Sequence, residues 1–181
     1  MRCTITDSRI ARAPAHEAPG GAAVPSDRVR LIRRRDRGSH DPALIHAILD
    51  EGLVAHLGFV DAEGHPVVTP VLHARGGDVV YCHGSVAGRA MRTVGRGVEV
   101  CLTVSLIDGL VLARAAMHHS ANYRSAMLFG RAREVTHDEE KLHASEAIVE
   151  HVVPGRWEQV RPPSPKELRA TTFLALPIDE A

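Results

Sequence analysis

The spacing of its turn signals constrains this chain more than any other feature. After Gly52 the sequence reads LVAHLGFV, DAEG, HPVVTPVLHA, RGGD and VVYCH, apolar and β-branched runs cut by clusters of glycine and acidic residues. Runs this short, bounded this closely by turn residues, are strands rather than helices. The pattern continues with VEVCLTVSLI, then LVLARAA beyond Asp108-Gly109, then SAMLFGRAREV and a last TTFLALPI. LVAHLGFV and HPVVTPVLHA read as a hairpin. Pro70 inside the second run has no N–H to give to a ladder, which places it at a sheet edge or at a ligand-facing break. The expected fold is therefore mainly β with peripheral helices, six or so short antiparallel strands in a small closed or split barrel. No repeat of fixed period occurs, so solenoids and propellers are excluded.

Helices are marked by their end signals. In DPALIHAILDEG, Asp41 is the N-cap, Pro42 the first helical residue, Leu44, Ile45, Ile48 and Leu49 the apolar face, and Gly52 the stop. GSVAGRAMRTVGRG reads as a short helix between glycine stops. THDEEKLHASEAIVEHVV begins with a Thr136 cap and an acidic first turn, turns Leu142, Ile148, Val149 and Val152 inward, and ends at Pro154-Gly155. Ser164 caps a turn opened by Pro165. Residues 1–27, rich in Ala, Pro and Gly without apolar periodicity, are expected to be a disordered extension, leaving residues 28–181 as the domain. The arginine cluster in RVRLIRRRDRG reads as a solvated lead-in whose Leu31 and Ile32 dock on that domain.

Composition excludes several functions. The 22 basic residues balance 22 acidic ones, so no overall field steers the molecule to nucleic acid or to an anionic membrane. Aromatic residues make up only 3%, too few for base-stacking platforms. Cys3, Cys82 and Cys101 form no C-x-x-C pair, which argues against disulfide or zinc frameworks and for a reducing cytoplasm; Cys82 and Cys101 lie in apolar runs and read as buried thiols. There is no apolar run of membrane-spanning length and no export signal, and the expected location is cytoplasmic. His118 and His119 are adjacent and lack a spaced carboxylate or thiol partner, so they read as an exposed pair, and His46, His56, His65 and His73 fall at no ligand spacing. No metal site is expected. G-x-S-x-G, P-loop and G-x-G-x-x-G motifs are all missing.

One stretch remains to be explained. In YCHGSVAGRAM a strand ends at His83, and Gly84 and Ser85 would offer amides and a hydroxyl at the start of a helix that carries Arg89. That is either an anion site, with the arginine fork on phosphate oxygens, or an ordinary helix start with a serine cap.

Together VVTPVLHARGGDVVYCHGSVAGRAM, NYRSAMLFGRAREV and EKLHASEAIVEHVVPGRW resemble the pyridoxamine 5′-phosphate oxidase-related, FMN-binding split-barrel family, in its nitroimidazole-resistance-like flavoprotein branch. The resemblance runs from about Arg28 onward. It implies a homodimer with FMN in the groove between protomers and an oxidoreductase passing electrons or hydride between the flavin and a small acceptor. Under it, the backbone of Val68, Thr69, Pro70 and Val71 lies along the isoalloxazine ring, and His83, Ser85 and Arg89 hold the phosphate. Arg124 and Ser125, with Tyr123 beside them, reach the flavin from the partner protomer, and Arg124 is the candidate for stabilising a reduced, anionic flavin. The true oxidases use a C-terminal arginine and histidine that this sequence does not show, so vitamin B6 oxidation is not expected. A flavin-storage module without turnover, or a haem- or deazaflavin-binding relative, are the alternatives.

Overall fold

The computed structural model describes residues 26–181 apart from Arg34, so most of the expected disordered extension, with Cys3, lies outside the described residues. Helix α1 (Pro42–Glu51) follows its sequence signals: the Asp41 carboxylate accepts the Ala43 N–H at 3.0 Å, Pro42 opens the helix and Gly52 ends it. The strands are β1 (Val54–Val60), β2 (Pro66–Gly76), β3 (Val79–Ser85), β4 (Glu99–Val111), β5 (Ser120–Arg131), β6 (Arg133–Glu134) and β7 (Thr171–Pro177), with helices α2 (Arg89–Val94), α3 (Asp138–Val152) and α4 (Pro165–Ala170) between them. They form one antiparallel sheet in the order β5-β4-β1-β2-β3-β7-β6, curled into a split barrel.

Strand β2 makes the split. Its first half, Pro66–Leu72, pairs with β1, and its second half, His73–Gly76, pairs with β3. The edge of residues 66–72 that faces away from β1 therefore has no ladder. Pro70 sits opposite His56 in this half. A residue without an N–H fits only a position whose polar groups point away from β1, so the carbonyl of Pro70 and, two residues back, both polar groups of Val68 face the open edge.

Two apolar clusters use the two faces of the β3–β7 ladder. Val80, Cys82, Leu174 and Leu176 point into the barrel, where Leu57, Leu102 and Leu128 form a cross-strand row over β1, β4 and β5. Tyr81, Phe173 and Ala175, on the opposite face, are covered by Ala144 and Ile148 of α3 and Leu168 of α4. Helix α4 is held by a reciprocal cap: the Ser164 hydroxyl accepts the Glu167 N–H, and the Glu167 carboxylate accepts the Ser164 N–H at 2.7 Å. Among the described residues no helix is long and apolar enough to cross a membrane.

Several expectations are corrected. Asp108-Gly109 does not turn the chain, because β4 continues past it and one bulge between Ile107 and Gly109 absorbs the irregularity in its ladder with β5. SAMLFGRAREV is likewise divided between the end of β5 and the separate β6. His137, not Thr136, is the N-cap of α3, and no side chain caps it. Ile32, 84% exposed, does not dock; Val29 is the buried residue of the lead-in.

Candidate functional site

The open half of β2 faces the end of β3 and the start of α2 across a groove of about 590 Å³. Val68, Thr69, Pro70 and Val71 form one wall and His83, Ser85 and Arg89 the other, with Phe59 and Met91 at its apolar base. Thus seven of the expected site residues converge. The remaining three stand apart: Tyr123, Arg124 and Ser125 lie on β5, at the far end of the sheet order, and do not line this groove. Arg124 is clamped by Glu51 at 2.8 and 2.9 Å and by Asp108 at 2.8 Å. The two carboxylates raise its pKa further and are themselves held below the usual carboxylate range. One cation between two anions leaves the cluster net negative, so Arg124 can serve an anion only if one carboxylate lets go.

The turn that leads into α2 differs from its sequence reading. Gly84 and Ser85 belong to β3, and the helix starts at Arg89. The turn's own amides are used internally: Val86 N–H donates to the Ala170 carbonyl at 3.0 Å, Ala87 N–H to the Ser85 hydroxyl at 3.3 Å and Gly88 N–H to the Ser85 carbonyl at 2.8 Å. A Cβ on Gly88 would stand 2.9 Å from that carbonyl, so the tight turn excludes other residues. What remains for an anion is the Ser85 O–H, the Arg89 fork and the first amides of α2, which no side chain caps.

A carboxylate that the sequence reading missed governs the arginine. Asp61, in the β1–β2 turn, has a side chain only 5% exposed. Its Oδ1 accepts the Glu63 N–H at 3.1 Å and the His65 N–H at 2.8 Å, and its Oδ2 accepts from Arg89 Nη2 at 3.0 Å. The amide of His65, above all, holds the Asp61 carboxyl below its ordinary value, so the group stays anionic. DAEGH does carry the local signal of an aspartate closing a turn on its own backbone. Its pairing with a residue across the groove has no local signature.

His83 supplies the other polar group. Its ring stacks on Phe173 with centroids 5.7 Å apart, and its Nδ1 is buried with no hydrogen-bond partner. Burial pushes its pKa down, which keeps the ring neutral and leaves Nδ1 free to accept or donate. An orphaned buried nitrogen, a hydroxyl and a guanidinium around one groove suit a nucleotide's phosphate and sugar, while the free edge of β2 suits a flat heterocycle with polar rim atoms. Among the described residues no group of three or more His, Cys, Asp or Glu side chains is placed to hold a metal ion.

Residues 41–181 match the family model described as pyridoxamine 5′-phosphate oxidase. The chain belongs to that family. Within the pyridoxamine 5′-phosphate oxidase family it is similar to solved split-barrel structures. The flavocytochrome Anf3 from Azotobacter vinelandii is 41% identical with a TM-score of 0.80, over 88% of this chain and 73% of that one. The FAD and heme binding protein from Mycobacterium smegmatis is 34% identical with a TM-score of 0.72, over 79% and 69%. A candidate 5-nitroimidazole antibiotic resistance protein from Bacteroides thetaiotaomicron is 27% identical with a TM-score of 0.65, over 77% and 81%. No curated protein sequence matches the chain.

A second buried histidine bears on how this family member responds to acid. His73, fully enclosed beside α1, contacts the Leu49 carbonyl through Nε2 at 3.1 Å and faces the His151 ring at 5.3 Å. Burial, reinforced by His151, lowers its pKa. Both His73 and His83 are thus neutral in the fold and take up protons more readily once unfolded. Below the ordinary histidine value of about 6.5 the unfolded chain binds more protons, so stability falls with pH, by at most about 1.4 kcal/mol per pH unit for each ring. Melting temperatures of the ligand-free protein are expected to decline from about pH 6.5 downward, and less steeply for His73→Gln. A flat profile over that window contradicts the assignment.

Proposed function

We propose that the chain is a flavin-dependent oxidoreductase that holds the FMN moiety in the groove between β2 and the β3–α2 turn. The observation that carries this reading is the convergence of the unladdered edge at Val68–Pro70 with His83, Ser85 and Arg89 on one cavity. When bound, the flavin supplies hydride and electron transfer, chemistry for which the protein needs no nucleophile of its own. Ser85 and Arg89 bind the phosphate. The carbonyl of Pro70 and the polar groups of Val68 orient the ring through main-chain hydrogen bonds, and Val67, Val71 and Phe59 exclude water from its inner face.

The working unit under this reading is a homodimer. The β4–β5 hairpin carries Ile107, Leu110 and Tyr123 on its exposed surface, and burying them against a second copy would bring Tyr123, Arg124 and Ser125 to the partner's groove. The free thiols of Cys82 and Cys101 suit a reducing cytoplasm. A second reading adds haem. Two relatives above 30% identity are a flavocytochrome and an FAD and heme binding protein. Here His118 and His119 stand exposed next to Met117, itself 91% exposed, and imidazoles are side chains that haem ligation uses.

The absorption spectrum of the purified protein tests both. Flavin bands alone are expected under the first reading, and an added Soret band under the second; a colourless protein that takes up no flavin contradicts both. Once reduced, the flavoprotein should be reoxidised by an added acceptor faster than free FMN is. Equal rates would leave a storage role in place of turnover.

A further inference from the structure

The proposed redox chemistry leaves a second cavity unused. It has a volume of about 450 Å³ and is lined by residues of α3, α4, β7 and the one-turn helix Trp157–Gln159. Small-molecule sites span roughly 300–1,000 Å³. His83 is the one residue that lines both this cavity and the groove, so the two have separate walls and separate chemistry.

The mouth of the cavity is built around Trp157, the chain's one tryptophan, which stands half-buried on a surface loop. The loop is fixed from α3: the Glu150 carboxylate accepts the Gly155 N–H and the Trp157 N–H, each at 2.6 Å. Those amides, Trp157's first, hold the Glu150 carboxyl below its usual range, so the clasp keeps its charge. Gly155 sits at φ +77°, the left-handed region that favours glycine, and lets the chain turn back to the carboxylate. A clasped loop holds the indole at the cavity before any ligand arrives, which lowers the ordering cost of binding.

The polar groups divide into spent and unspent. Arg161 meets both oxygens of Glu167 at 2.8 Å, and Glu167 also accepts the Ser164 N–H at 2.7 Å. The Thr171 hydroxyl donates to the Glu167 carbonyl at 2.9 Å. The charges are thus paired, and an ionised ligand would enter an apolar cavity with no counter-ion left for it. The Trp157 indole N–H and the Ser145 hydroxyl, by contrast, bond to none of the described residues. An indole nitrogen can only donate and a hydroxyl donates readily, so the unspent groups suit oxygen acceptors. Around them stand the Phe173 ring, Ile148, Val149 and Leu168, which suit a flat apolar body.

We infer that this cavity is a binding site for a neutral, flat, fused-ring aromatic carbonyl compound, the chemical class of quinones and coumarins. The ring faces are covered by the apolar walls, and a carbonyl oxygen accepts from the indole N–H or the Ser145 hydroxyl. Binding requires no flavin in the groove, so the inference stands or falls apart from the flavin reading.

The test uses the flavin-free full-length chain, with coumarin as the probe and coumarin-3-carboxylate as its anionic counterpart. Because Trp157 is the sole tryptophan, its emission reports on this cavity alone. Coumarin is expected to change that emission saturably, with a dissociation constant on the order of tens of micromolar, and the carboxylate to bind at least about tenfold more weakly. Ser145→Phe, which fills the cavity, should weaken coumarin binding by at least about tenfold in the same titration. Trp157→Ala, at a half-buried site whose change leaves the core intact, should do so by calorimetry and decides the matter if Ser145→Phe does not fold. Equal affinity for the two probes, or coumarin binding that survives both variants, overturns the inference. So does an absence of coumarin binding, and a Trp157 emission that then shifts with protein concentration would show the cavity mouth to be covered by a second copy of the chain.

Discussion

Replacing Arg89 by alanine is expected to weaken flavin binding by at least about a hundredfold, at or beyond the upper end of what the loss of a single phosphate contact explains. A charge-assisted hydrogen bond contributes about 1.5–3 kcal/mol, roughly ten- to 150-fold in affinity. The remainder comes from Asp61. In the wild type its Oδ2 is matched by Arg89 at 3.0 Å, while its Oδ1 is held by the amides of Glu63 and His65. Without the guanidinium those amides keep the carboxylate in place, and an anion only 5% exposed is left bare at the phosphate site. Lost attraction is then joined by repulsion. The double variant Asp61→Asn with Arg89→Ala should recover about tenfold over Arg89→Ala alone, because Asn keeps an oxygen for the two amides and presents an N–H₂ where the bare oxygen was. Flavin fluorescence titration gives all three affinities. Unchanged binding in Arg89→Ala would sink the phosphate assignment, and a double variant no better than the single would remove Asp61 from the account.

Leu102→Ala should cost about 2–5 kcal/mol of unfolding free energy, the largest effect expected of a core substitution here. Leu102 lies on β4 opposite Leu57 of β1 and Leu128 of β5, and all three are essentially inaccessible to solvent. Their spacing is set by two hydrogen-bonded ladders, so the backbone cannot close the space that truncation leaves. Thr103, the next residue, points to the other face and is half-buried, so Thr103→Ala should cost less than about 1 kcal/mol. Urea denaturation with an unchanged slope measures both. Equal costs for the two would contradict the assignment of faces.

What could be read from sequence was local chemistry. Asp41-Pro42 with Gly52, and Ser164-Pro165 with Glu167, set the ends of α1 and α4 through contacts a few residues apart, and the structure has them where the sequence put them. Asp108-Gly109 carries an equally clear turn signal, yet β4 runs through it. Its ladder with β5 outweighs the local preference, and a bulge takes up the difference. The groove's strand and turn were legible as motifs, helped by the family resemblance. The Asp61–Arg89 pair and the cavity at Trp157 were not, because each depends on elements that only the closed sheet brings together. The duties expected of Tyr123, Arg124 and Ser125 depend on a second copy of the chain.

The place of β7 has a consequence for how the protein is made. The strand is among the last parts of the domain to leave the ribosome, yet it is inserted between β3 and β6, and it brings Leu174 and Leu176 to one cluster and Phe173 and Ala175 to the other. Until residue 177 has emerged, the edge of β3 is bare and Val80 and Cys82 have no cover on that side. From the emergence of β3 until that of β7 the nascent chain therefore carries an open, sticky strand edge, and the domain can complete its folding only after translation has passed β7. Production at low temperature or with ample chaperone should raise the yield of folded protein more than it does for a domain whose last strand lies at a sheet edge.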